Sequence, residues 1–234
     1  MVPSVVLTHC NVPACPAVER LRYWDGSYQE PRSQKELLGS IFPEGIIVNN
    51  PEVVQIPGYQ VGTWNADPIH SEIGFSVRHM MVSNVRGRFA DFEAIVTTAE
   101  NPLNSTARAA IRVASIDTGH DTRDTDLRSS GFLSVDEYPE MMFTSTAIRM
   151  DGDAYLVDGD LTIRGTTKPI TLRAETGGIG PDPYGFTRAG FHITTEINRS
   201  DFGITGNVLI EGGGVVIADK VKIEIELQMV LQKN

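Results

Sequence analysis

The stretch KVKIEIELQMV, Lys220–Val230, decides the fold. Val221, Ile223, Ile225, Leu227 and Met229 alternate with Lys222, Glu224, Glu226 and Gln228 without a break. Successive side chains of an extended chain point to opposite faces, so this segment reads as a β-strand with one dry face and one wet face. The same period of two recurs upstream, at Ile73, Phe75 and Val77, at Ala109, Ile111 and Val113, and at Val157, Leu161 and Ile163. It recurs again at Ile170, Leu172 and Ala174 and at Phe191, Ile193 and Ile197. With segments around Phe89–Val96 and Met142–Ile148, the pattern from Val61 onward predicts about eight antiparallel strands. Hairpin turns such as IRGTTKPI, Ile163–Ile170, with Pro169 at a strand start, favour a sandwich or a closed barrel, because closure removes exposed edges. Alternation alone does not separate those two.

The first 58 residues are of another kind. Seven prolines, at 3, 13, 16, 31, 43, 51 and 57, interrupt them, and the only helix they suggest is short. It spans about 34–38, with Ser33 as N-cap, Glu36 completing a capping box and Gly39 as terminator. The expected division is therefore an irregular N-terminal extension over 1–58 and an all-β domain over 59–234. Cys10 and Cys15, even with His9, do not complete a zinc site and read as unpaired thiols.

Charge narrows the partners. Twenty basic residues against thirty acidic ones leave a net charge of −10, whose bulk electrostatics disfavours nucleic acid and anionic membrane surfaces. There is no run of 18 apolar residues, so no membrane-spanning helix is expected. The start MVPSVVLTHCNVPACP lacks a basic region and a continuous apolar core, and His9 is too large for a lipoprotein cleavage site before Cys10. The expectation is a cytoplasmic protein.

The densest cluster of chemistry-bearing groups is SIDTGHDTRDTDLRS, Ser115–Ser129. Asp117, Asp121, Asp124 and Asp126 could offer hard oxygen ligands and His120 an imidazole nitrogen, but the run lacks the glycine and final glutamate of a calcium-binding helical loop. Adjacent carboxylates in one loop seldom oppose each other across a cleft, as glycoside cleavage would need. The segment reads instead as a short helix capped by Asp121, with Asp124 and Asp126 near its positive end, Arg123 and Arg128 pairing locally or facing solvent, and Gly131 ending the turn. No G-x-S-x-G elbow is present, and His70 and Ser71 fall on opposite faces. The run Gly212–Gly214 is not followed by G-K-[ST] and reads as a hairpin turn rather than a phosphate cradle. No cofactor and no metal are called for.

Five blocks, taken together, resemble one family. WNADPIHSEIGFSVRHMMVSNVRGRF (64–89), SIDTGHDTRDTDLRSSGF (115–132), YPEMMFTST (138–146), GDLTIRGTTKPITL (159–172) and INRSDFGI (197–204) look like the successive signature blocks of the YceI-like family, in its order and approximate spacing. The resemblance implies a lipocalin-like antiparallel β-barrel whose long hydrophobic interior binds polyisoprenoids or other long-chain amphiphiles, often as a homodimer. Two departures stand out: the family usually has histidine at the position of Asp126 and an aromatic residue near Gly206.

An eight-stranded barrel is wide enough to be filled by side chains or to hold one ligand, and the residues alone leave that open. If it is hollow, the expected ligand-binding residues are Phe75, Val77, His79, Phe92, Ile111, Val113, Phe132, Met142, Phe143, Leu161, Phe191, Ile193, Ile223 and Ile225. His79 continues the apolar alternation of Ile73–Val77 and would offer a hydrogen bond to a head group at the barrel mouth; His192, on the opposite parity, faces solvent. Each ligand CH₂ removed from water contributes about 0.8 kcal/mol, so ~15 of them give roughly 12 kcal/mol before ordering costs. The expected function is non-catalytic binding or transport of an isoprenoid, isoprenoid quinone or fatty-acid-like lipid. The alternatives are a hydrolase or isomerase using the 117–126 loop and a filled interaction module.

Overall fold

The computed structural model describes residues 56–206, 209–210 and 214–233. They belong to a compact unit running from Glu52 to Asn234. The expected 34–38 helix, Cys10, Cys15 and most of the Gly212–Gly214 run lie outside the described residues. Among the described residues thirteen strands form: β1 (Gly62–Ala66), β2 (Glu72–His79), β3 (Ser83–Phe89), β4 (Phe92–Thr98), β5 (Thr106–Arg112), β6 (Ile116–Asp117), β7 (Glu140–Asp151), β8 (Ala154–Ile163), β9 (Thr166–Pro181), β10 (Thr187–Asn198), β11 (Leu209–Ile210), β12 (Gly214–Val215) and β13 (Ile217–Leu231). One α-helix among the described residues, α1 (Asp121–Arg128), interrupts them.

Eight of these strands close a ring in the order β1-β4-β5-β7-β8-β9-β10-β13, with β13 returning to β1. The structure is therefore a closed antiparallel β-barrel. β13, the strand of the opening alternation, holds the closure together: one edge pairs with β10 from Lys220 to Val230. Its other edge pairs first with β2, between Ile217 and Glu226, and then with β1, between Met229 and Leu231. β1 and β2 are thus two halves of one span, broken by the loop 67–71, and β3 and β4 are likewise broken at Ala90–Asp91. Each break re-aims the chain without opening the wall.

A register shift between Ser145 and Ala147 in β7 has a similar effect. Inward positions ahead of it are odd-numbered, Met141 and Phe143; beyond it Ile148 turns inward. Pro169 falls inside β9 rather than at its start, opposite Asp160. Pairing of β9 with β10 begins only at Arg173, so proline sits where the strand is laddered on one side. Among the described residues no helix is long and apolar enough to cross a membrane.

Buried apolar residues gather at both ends of the barrel. One cluster contains Phe89, Phe92, Ile111, Val113, Leu133, Met141, Phe143 and Phe202; the other is built on Trp64, Ala189 and Met229. Between them the interior is not filled.

Candidate functional site

A cavity of about 360 Å³ occupies the barrel interior, lined by inward side chains of every wall strand. The reason it stays hollow lies in the sequence. Many inward positions carry small residues: Ala94 on β4, Ala107 and Ala109 on β5, Ala174 on β9 and Ala189 on β10 all lie on the wall. Side chains of that size cannot span a barrel of eight strands.

Ten of the fourteen expected residues lie on this wall: Phe75, Val77, Ile111, Phe132, Phe143, Leu161, Phe191, Ile193, Ile223 and Ile225. Four do not. Met142 is on the outer face and 48% exposed, because its neighbours Met141 and Phe143 point inward and adjacent strand residues cannot share a face. Phe92 is buried in the end cluster instead of the wall. Val113 is buried too, but β5 stops at Arg112 and Val113 opens a 3₁₀ turn, so the alternation that grouped it with Ile111 does not extend that far. His79 is half-buried at the end of β2, opposite Ser83 and Ile217, and not on the cavity wall. His192 is on the outer face as expected, its Nδ1 2.7 Å from Glu226 Oε1. That carboxylate is the main cause raising the His192 pKa above its ordinary value.

The wall also holds residues that alternation did not single out. Ile56 and Tyr59 enter it from the segment ahead of β1. Tyr59 Oη donates to the Ala99 carbonyl at 2.7 Å, and Trp64 Nε1 donates to Thr98 Oγ1 at 3.1 Å. The few polar groups at this end are thereby satisfied by protein, leaving an apolar surface. Burial pushes the Tyr155 phenol upward, with a smaller contribution from Tyr59. At the opposite end Arg199 is the one buried cation among the described residues. Its guanidinium donates to the carbonyls of Ile204, Gly206, Ile217 and Ala218 at 2.7–3.3 Å, clamping the loop after β10 onto the start of β13. Burial lowers its pKa, and Asp219 opposes that. A period-of-two reading misses Arg199 because it lies in a 3₁₀ turn.

The aspartate-rich segment closes the same end. Its cap is His120 rather than Asp121: His120 Nδ1 accepts from the Arg123 amide at 3.4 Å, and Asp121 is the first helical residue. Asp124 is buried and accepts from the Thr118 amide and the Thr118 hydroxyl. Burial drives its pKa up, but those hydrogen bonds, with the charges of Arg128 and Arg123, outweigh it and hold the carboxyl below the usual range. Arg123 donates to Thr118, and Arg128 donates to the carbonyls of Ala114 and Ile116. The helix ends at Arg128 with Ser129 as C-cap, before Gly131. Leu127, Phe132 and Leu133 then face the cavity, so the segment acts as an end cap of the barrel. Asp126 is exposed and off the cavity wall. At Gly206, where an aromatic would have been usual, a Cβ would stand 2.5 Å from the Gly131 carbonyl oxygen; the two loops approach too closely for any side chain.

Fold and site together define a closed eight-stranded β-barrel around an apolar internal cavity. The family model of the YceI-like domain matches residues 64–229. The chain belongs to the YceI-like family. Protein YceI of Shigella flexneri is 42% identical over 136 residues, 58% of this chain and 71% of that protein. The crystal structure of Burkholderia cenocepacia BcnA superposes with a TM-score of 0.60 at 25% identity, covering 70% of this chain and 98% of that one. A polyisoprenoid binding domain from Saccharophagus degradans, implicated in plant cell wall breakdown, superposes with a TM-score of 0.53 at 16% identity over 72% of this chain and 98% of that one; this last likeness is one of fold.

Proposed function

We propose that this protein binds and carries a long-chain amphiphile, an isoprenoid, isoprenoid quinone or fatty-acid-like lipid, inside its barrel, without catalysis. The observation that carries the reading is the 360 Å³ apolar cavity, of a size typical for small-molecule sites. The hydrophobic effect favours filling such a space with hydrocarbon, and a non-directional wall suits a flexible chain. The fold neighbour named for polyisoprenoid binding supports the same class of ligand. Catalysis by the 117–126 segment finds no support in its bonding: Asp124 is committed to Thr118, and Asp117 to the Gly119 amide and Arg88.

The test is native mass spectrometry of the purified full chain, matched to mass spectrometry of its organic extract. One long-chain amphiphile per barrel is expected. An empty barrel that also takes up no dispersed long-chain lipid would overturn the reading.

A further inference from the structure

The β2–β3 hairpin ends in three consecutive apolar residues exposed to solvent. Met80 is 47% exposed, Met81 59% and Val82 82%. Met80 and Met81 also hold positive φ angles, 50° and 58°, a backbone region that non-glycine residues avoid and that a tight hairpin turn imposes on its two central residues. Asparagine and glycine would adopt this turn with less strain. Two long apolar side chains at such positions are a local cost with no return from packing, the kind of outlier that points to a use outside the fold.

The charges around the tip are of one sign. From Ser76 to Arg86 the hairpin contains no Asp or Glu, and Arg78 and Arg86 are both exposed. Arg78 donates through Nε and Nη2 to the Met81 carbonyl at 3.3 and 2.9 Å, holding the turn while keeping its charge beside it. Of the acids nearer the barrel, Glu72 and Asp117 pair with Arg88, and Asp219, at the start of β13, accepts from the Ser200 amide and hydroxyl, while Asp121 and Asp126 are exposed on α1, outside the hairpin. Exposed apolar residues at the other end of the barrel differ. Tyr184 and Ile69 follow Asp182 and Asp67, whose carboxylates accept from the loop amides and share Arg188.

We propose that the Met80–Val82 tip, with Arg78 and Arg86, docks the barrel on an anionic lipid bilayer. Apolar side chains flanked by arginine suit the boundary between head groups and acyl chains. The net charge of −10 does not forbid this, because ionic screening over about 10 Å leaves the membrane facing mainly the charges of the inserted end. The tip is also continuous with the cavity wall: Val77 and Ile217 line the cavity, and the Met80 amide donates to the Val216 carbonyl at 2.7 Å. A docked hairpin would thus bring the cavity wall to the surface from which a lipid is taken. The purpose rests on the carrier reading, but docking is measured apart from it.

Flotation of the full chain with vesicles of equimolar phosphatidylglycerol and phosphatidylcholine, against phosphatidylcholine alone, tests the proposal. Binding to the anionic vesicles that weakens with salt is expected. Met80→Ser/Met81→Ser/Val82→Ser should reduce the partition coefficient about tenfold or more, Arg86→Gln severalfold, and Ile69→Ser/Tyr184→Ser not at all. Met80→Asn/Met81→Gly should raise Tm by relieving the turn and still lose vesicle binding. Absence of wild-type binding, equal binding by either tip variant, or a tip variant that only dissociates a homodimer in light scattering would overturn the proposal. Uptake of a dispersed fluorescent fatty acid should survive in the tip variants; its absence from the wild type would count against the carrier reading alone.

Discussion

The ring of Phe75 lies across the backbone of Gly87, its partner in the β2–β3 ladder, so closely that a Cβ on Gly87 would stand 2.5 Å from Phe75 Cζ. The ring also meets Phe89 at 5.6 Å between centroids. Glycine at 87 thus lets an aromatic side chain lie against the wall instead of standing up into the cavity. Gly87→Ala is expected to cost about 1–3 kcal/mol by overpacking and to swing the ring inward. Urea unfolding would read the first effect and reduced lipid uptake the second; unchanged uptake would show that the ring's tilt does not set the available space.

Ala109 tests the hollow interior directly. It is on the wall, opposite Phe143 in the β5–β7 ladder. In a filled core, Ala109→Phe would force strain of about 1–3 kcal/mol. In a cavity of about 360 Å³ the ring has room, so Tm should hold or rise while co-purifying lipid is lost. Native mass spectrometry beside a thermal melt separates the outcomes.

These two positions show how far the sequence could be read. Alternation in Lys220–Val230 places one face of β13 inward because the period of a strand is a property of backbone geometry alone. The same rule should have split Met142 from Phe143, and the physical signal was there in their adjacency. The bulge near Ser145 leaves no such mark, since it depends on what β8 does opposite. Whether the barrel is hollow was partly legible too, in the small residues Ala107, Ala109 and Ala174 at inward parity, but the remaining volume depends on barrel diameter and on how Phe75 tilts. The helix cap moved by one residue, to His120, because Asp124 is drawn inward by Thr118, a pairing fixed by tertiary packing and not by capping preference.

Asp124 separates a structural from a chemical role for the aspartate-rich segment. Asp124→Ala would leave the half-buried Thr118 amide without its acceptor and should cost about 1–3 kcal/mol. Asp126→His, on the exposed side of the same helix, should change neither stability nor lipid uptake. A loss of uptake in the histidine variant, with Tm held, would assign Asp126 a part in binding that its position does not suggest.

The last prediction concerns acid. Asp67 accepts from Arg188 Nη1 at 2.6 Å and lies 2.8 Å from His70 Nδ1, and its side chain is 13% exposed. Burial alone would raise its pKa, but the hydrogen bonds from Arg188 and His70 outweigh it and bring the value from 3.8 to about 2. A carboxyl whose pKa is depressed on folding binds fewer protons in the native state than in the unfolded one. Its stabilisation is therefore complete above 3.8 and is lost as pH falls from there towards about 2. The depression is worth at most about 2.5 kcal/mol. Arg188 also holds Asp182 at 2.7 Å and keeps that carboxyl below its ordinary range, so acid weakens this second link in the same direction. Asp67→Asn should accordingly lower stability near neutrality and flatten the fall of unfolding free energy across that acid range. Urea titrations at a series of pH values give both quantities, and parallel curves for wild type and variant would show that Asp67 titrates alike in the folded and unfolded chain.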